Sequence, residues 1–161
     1  MVERMGNIER RAWEYINARG RQMLDPLGSG YDGLVYSTDA HTAIKVFRYE
    51  KLYRRERDVY LRLSELNFVE VCGCRIPRLI DFDDVTEIVE MEIVQPPYVL
   101  DFAGAYLDDP PDYPEDVYQA WWEEKAEQFG GDWDLVPTIM ATLAGRGIYL
   151  SDVEPGNITL R

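Results

Sequence analysis

Hydrophobic positions along this chain recur with two different periods, and the switches between them outline a small set of elements. Ile8, Ala12, Tyr15 and Ile16 share one face of a helix over residues 1–20, with Gly20 as its stop. Short apolar runs then predict strands at about 22–28, 33–38 and 42–47. Leu52, Val59, Leu63 and Leu66 return to helical spacing over 50–66 and form one apolar face. Two further strands are expected near 78–82 and 86–93, followed by a stiff Gln95-Pro96-Pro97 linker suited to a hinge. After a loop over 108–114, Glu115–Phe129 reads as a helix with Val117, Ala120, Trp121 and Trp122 as its apolar surface. The Trp121–Trp122 pair is expected to be core in preference to a recognition surface. A second helix over 133–145 would bury Leu135, Ile139, Met140 and Leu143 and lead into the last loop, with an apolar strand after it.

Three short patterns carry candidate chemistry. Residues 27–36 contain Gly28, Gly30, Gly33 and Val35 in the arrangement G-x-G-x-x-G-x-V. Glycines at this spacing let backbone amides approach phosphate oxygens with no Cβ in the way. A dinucleotide fingerprint would open a helix, whereas here strand-like sequence follows, so the glycines are expected to cap a β-hairpin. Lys45 interrupts the apolar run Ala43-Ile44-Lys45-Val46-Phe47, where a charge is expensive to bury without a partner. Glu56, on the following helix, offers that partner. Near the end of the chain, Asp152 and Asn157 stand five apart around Pro155. Such a pair suits phosphoryl transfer, the Asp taking the proton of an attacking hydroxyl and the Asn amide oxygen binding magnesium.

In this order, the Gly-rich hairpin, A-I-K strand, R-E-x-x-x-Y-x-x-L helix and D-x-x-P-G-N loop resemble the protein-kinase-like phosphotransferases over residues 24–161. The resemblance implies an α+β, two-lobe fold: an N-lobe over 1–94 with a five-stranded antiparallel sheet and one main helix, and a truncated helical C-lobe over 95–161. It also implies ATP and magnesium as ligands. Lys45 would bind the α- and β-phosphates and pair with Glu56, while Gly28, Gly30, Gly33, Val35 and Ala43 would line the nucleotide. Met91 would be the gatekeeper, and the Glu92 carbonyl and Val94 backbone would bond adenine. Asp101 would reach a ribose hydroxyl, or else cap a helix. Asp152 would be the catalytic base and Asn157 a metal ligand.

The departures from that pattern are specific. Ser151 replaces the usual Arg before the base and Leu150 the usual His, while Glu154 stands where a Lys is expected. A carboxylate there would repel a transferring phosphoryl group. The metal-binding Asp of a D-F-G motif does not follow Asn157 in this sequence, and the look-alikes around Asp81 and Asp101 precede the catalytic loop. The resemblance therefore implies either a small ATP-dependent phosphotransferase acting on a protein or small-molecule hydroxyl, or a pseudokinase that senses nucleotide or binds a partner. A third possibility is a fragment of a longer kinase.

Charge narrows the partners. Residues 1–80 carry 14 Lys/Arg against 11 Asp/Glu, and residues 81–161 carry 3 against 19. So negative a field opposes nucleic acid and anionic membranes, and it would suit a cationic protein or small-molecule acceptor. Arg54, Arg55, Arg57 and Arg62 alternate with Glu56 and Asp58, which predicts a solvated helix face. With no long apolar run and no apolar leader, the protein is expected to be cytoplasmic. Cys72 and Cys74, the only cysteines, fall short of a four-ligand zinc site and read as reduced thiols. A homodimer is a further expectation, covering the face of 133–145 that a fuller C-lobe would cover.

Overall fold

A computed structural model describes residues 2–160 of the chain. It is an α+β structure with two compact units, Met1–Leu61 with Arg78–Ile93, and Arg62–Pro77 with Val94–Arg161.

The first unit is a five-stranded antiparallel sheet in the order β1-β2-β3-β7-β6. Its strands are β1 (Met23–Ser29), β2 (Gly33–Thr38), β3 (Thr42–Phe47), β6 (Leu79–Asp83) and β7 (Ile88–Glu92). The helix α1 (Val2–Ala18) accompanies it, as does α2 (Glu50–Glu65) up to Leu61, the last turn of α2 belonging to the second unit. All six residues of the central strand β3 are buried, because each of its faces is covered. Ile44 and Val46 join Ile88 and the α1 residues Ile8, Ala12, Tyr15 and Ile16 in one apolar cluster. The alternate residues Lys45 and Phe47 meet α2, where Phe47 packs edge-on against Tyr53 with ring centroids 5.7 Å apart and Lys45 meets Glu56. A strand covered on both sides reads as a continuous apolar run, and Lys45 is the exception that needs a partner. The α1 face matches its sequence pattern, and Gly20, at φ 63°, ends the helical segment in the left-handed region that favours glycine.

On α2 the pattern holds for Val59 and Leu63, which are buried, and fails for Leu66, which is 40% exposed. The helix stops at Glu65, and Asn67 at φ 52° turns the chain so that Phe68 N–H bonds the Leu63 carbonyl. Leu66 falls in that closing turn, while Tyr53, Glu56 and Tyr60 take the buried positions. Three basic residues of α2 form ion pairs: Arg54 with Glu50, Arg57 with Asp58 and Asp84, and Arg62 with Asp108.

The second unit holds strands of two residues each. They are β4 (Glu70–Val71), β5 (Cys74–Arg75), β8 (Val99–Leu100), β9 (Tyr106–Leu107), β10 (Ile148–Tyr149) and β11 (Ile158–Thr159). A four-stranded sheet runs β11-β8-β5-β4, with β5 and β8 parallel, and β9 pairs with β10. Cys72 and Gly73 form the two-residue turn between β4 and β5, both at positive φ, and both thiols are free. The expected helix over 133–145 is shorter. A 3-10 turn occupies Gly130–Leu135, and the α-helix proper, α4, is Val136–Ala144. Pro137 is the reason, since it has no N–H to give the residue 133 carbonyl and is tolerated only in a first turn. The core of this unit includes Leu100, Phe102, Val136, Ile139, Leu143, Ile148, Val153 and Ile158. Among the described residues no helix is long and apolar enough to cross a membrane.

Candidate functional site

The residues singled out in the first unit are gathered by strand register. Val35 lies opposite Lys45 on β2 and β3, Lys45 opposite Val89 on β3 and β7, and Ala43 opposite Met91. Directly opposed residues of an antiparallel pair share a face, and alternate residues do too. Val35, Ala43, Lys45 and Met91 therefore line one face of the sheet, beside Gly28, which pairs with Val35. Glu92 falls on the other face opposite Thr42, with its N–H bonded to the Arg78 carbonyl.

Lys45 is buried and its ammonium donates to Glu56 Oε2 at 2.7 Å. A second carboxylate, Asp32 Oδ2, stands 3.5 Å away, and the Phe47 ring lies 4.9 Å from the ammonium. The ion pair survives burial because the Coulomb attraction and the hydrogen bond offset the desolvation of both groups. Asp32 was not anticipated from the sequence. The signal was present, since it sits in the glycine segment directly before Gly33.

The three motif glycines differ in what the fold demands of them. A Cβ on Gly33 would lie 2.0 Å from the Val46 carbonyl oxygen, so strand packing alone requires glycine there. A Cβ on Gly28 or Gly30 would meet nothing within 4 Å, and neither has a positive φ. The expected hairpin is present. Gly30 N–H bonds the Gly33 carbonyl, and Arg48 fastens the turn from its backbone N–H to Asp32 O and from its Nε to Gly30 O.

In the second unit, Asp152 is exposed on the loop after β10. Asn157 Nδ2 donates to the Asp152 carbonyl at 2.9 Å, and its own N–H bonds the Glu154 carbonyl. That use of the amide nitrogen leaves Oδ1, a hard oxygen donor of the kind magnesium takes, at the other end of the group. Among the described residues no cluster of three or more His, Cys, Asp or Glu could hold a metal. Glu154 is exposed on the same loop, and Ser151 Oγ is turned away into a hydrogen bond with the Gly104 carbonyl. Asp101 caps no helix. It follows β8, its N–H bonds the Asn157 carbonyl, and its Oδ1 accepts from Ala103 N–H in a tight turn. Val94 is half-buried in this unit, ahead of the Pro96–Pro97 linker.

A buried polar network in the first unit also went unanticipated. Glu90 is fully buried on β7, accepting from Tyr15 Oη at 2.7 Å and from Thr42 Oγ1 at 2.5 Å, and pairing with Arg21. Burial, then the bond to Glu90, pushes the Tyr15 phenol well above its ordinary value. An apolar run such as Ile88-Val89-Glu90-Met91 signals this as plainly as Lys45 does, since an acid there must be answered. Neither protein-family models nor curated proteins give a match to this chain.

Proposed function

We propose that this chain is an ATP-dependent phosphotransferase of the protein-kinase-like superfamily, with a two-lobe fold and a hydroxyl acceptor on a protein or small molecule. The observation that carries this is the buried Lys45–Glu56 pair on the strand after a glycine hairpin. Buried lysines are rare, and this one sits on the face it shares with Val35, Ala43 and Met91, a surface suited to an adenine ring. Lys45 would neutralise the α- and β-phosphates, with Glu56 fixing its direction. Gly28 and Gly30, which nothing in the protein requires to be glycine, would admit the phosphates. The Glu92 carbonyl and Val94 backbone would take the adenine edge. Asp152 would accept the acceptor proton as the hydroxyl oxygen attacks the γ-phosphorus and the bond to ADP breaks. Asn157 Oδ1 would serve the magnesium that neutralises phosphate charge.

The exposed Glu154 favours a second reading, a catalytically impaired nucleotide sensor, because a carboxylate beside the acceptor opposes the transfer. Melting temperature with ATP, with and without magnesium, separates the two. A ligand at 100 times its Kd stabilises by about 2.7 kcal/mol. A magnesium-dependent rise that Lys45→Ala removes and Asp152→Asn keeps is the expected result. A rise without magnesium dependence supports the sensor, and no rise in the wild type overturns both.

A further inference from the structure

A cavity of about 500 Å3 lies wholly within the second unit, bounded by the Pro110-Pro111 segment, α3 (Glu115–Phe129) and α4, with Leu150 and Ser151 at one end. That is the size of a small-molecule pocket. Its walls are aromatic and apolar, among them Tyr118, Trp121, Trp122 and Met140. The Trp pair is therefore not core. Of the 15 residues of α3 only Phe129 is buried, and Trp121 and Trp122 are half-buried.

The aromatic walls are held in place without a ligand. Trp122 lies edge-on to Trp121 and Trp133, with ring centroids 5.3 and 5.4 Å apart. The Tyr118 hydroxyl donates to the Pro111 carbonyl at 2.9 Å, and the Tyr113 ring packs edge-on against Tyr118. The segment that supplies Pro110, Pro111 and Tyr113 also carries Asp108, Asp109, Asp112, Glu115 and Asp116, all exposed. Arg62 holds Asp108 in a two-pronged pair, and the other four make no ion pair among the described residues. Residues 94–161 as a whole carry 13 Asp/Glu against 3 Lys/Arg.

We propose that this cavity binds a small organic cation with an aromatic or alicyclic body. The ring faces attract a cation through their quadrupoles, and the apolar walls take its body. The acidic segment concentrates positive ligands and repels anions. The same charge disfavours a second copy as the occupant, since it would set five carboxylates against five. Ser151, at the end of the cavity, directly precedes Asp152. A hydroxyl on the bound cation would then be the phosphoryl acceptor. That last role rests on the phosphotransferase reading, but the binding does not.

The test is tryptophan fluorescence of the full chain titrated with benzyltrimethylammonium, with its neutral isostere neopentylbenzene, and with the anion phenylmethanesulfonate. The cation is expected to bind about tenfold or more tighter than the neutral compound, and the anion not to bind. Ala141 faces the cavity from the exposed side of α4, so Ala141→Phe should fill it and abolish the response while the protein stays folded. Joint replacement Asp109→Asn, Asp112→Asn and Asp116→Asn should weaken the cation and leave the neutral compound unchanged. Equal binding of the neutral compound, binding of the anion, a response that survives Ala141→Phe, or no response to the cation overturns the proposal. An absent ATP shift with intact cation binding would remove the phosphotransferase reading and leave this one standing.

Discussion

In the first unit, the charged residues that stand out in the sequence are buried and each is answered: Lys45 by Glu56, Glu90 by Tyr15, Thr42 and Arg21. In the second, Asp152 and Glu154 stand exposed on a loop, and Tyr118, Trp121 and Trp122 of α3 are only partly covered. A buried, paired charge holds its geometry before any ligand arrives, so the first unit has a preformed polar site. The second unit has instead a hollow beside an acidic segment, features that under the proposed binding would gain their full interactions from the ligand. The contrast teaches that the two halves should respond differently to substitution. Changes at the first unit's buried polar residues should cost much stability, and changes at the second unit's exposed acids should cost little.

The largest expected effect is at Glu90. Glu90→Ala removes the acceptor of two buried hydroxyls and leaves Arg21 without its carboxylate, at a cost of about 3–5 kcal/mol. Urea denaturation followed by circular dichroism would measure it. The matching change in the second unit, Asp152→Asn, should stay within about 0.5 kcal/mol of wild type because the side chain is solvated. Equal losses at both positions would erase the contrast.

The glycines give the next step down. Gly33→Ala puts a Cβ against the Val46 carbonyl at 2.0 Å, so the β2–β3 pair must shift, costing about 3 kcal/mol. Gly30→Ala should leave stability within about 0.5 kcal/mol, and under the proposed function it should weaken ATP by crowding the phosphates. A Gly30→Ala protein as unstable as Gly33→Ala would show that the turn itself demands glycine.

These contrasts bear on what the sequence makes legible. The first unit's elements were visible because each has several residues of one period: four α1 positions on one face, and a six-residue strand with a single charge. Lys45 and Glu56 were legible for the same reason, a charge in an apolar run having to be answered. Of the two-residue strands of the second unit only β11 was, as the apolar stretch after the last loop; in the others two residues carry no period, and their pairing is set by distant contacts such as Arg75 beside Val99. Asp101 was misread as a possible helix cap since an Asx turn and a cap use the same side chain in the same way. Trp121 and Trp122 were misread as core because aromatic character tells how much area a residue offers, not whether the fold covers it.

Lys45 and Glu56 allow stability and function to be separated within the first unit. Lys45→Met alone leaves Glu56 and Asp32 facing one another without the cation and should cost about 3 kcal/mol. Lys45→Met with Glu56→Leu removes both charges and should return to within about 1.5 kcal/mol of wild type, yet show no ATP shift. A double variant that still binds ATP would place the phosphates elsewhere.

The smallest effect is in acid, and it is shared by both units. Asp84 accepts from Tyr53 at 2.7 Å and from Arg57 at 2.8 Å in the first unit, and these bonds hold its carboxyl below the ordinary aspartate value. Asp108 is held low in the same way by Arg62 in the second. A carboxyl whose folded pKa is depressed contributes stability that is present above its unfolded pKa and lost as pH falls through the folded one. The loss therefore belongs below about pH 4, the ordinary aspartate value, and not at neutrality. Both carboxylates are solvent-exposed, so salt should shrink the effect. Melting curves from pH 6 to 2 should show Asp84→Asn and Asp108→Asn each flattening the acid decline while lowering stability slightly at neutral pH. A decline that begins near pH 6 in both variants would point to groups other than these two aspartates.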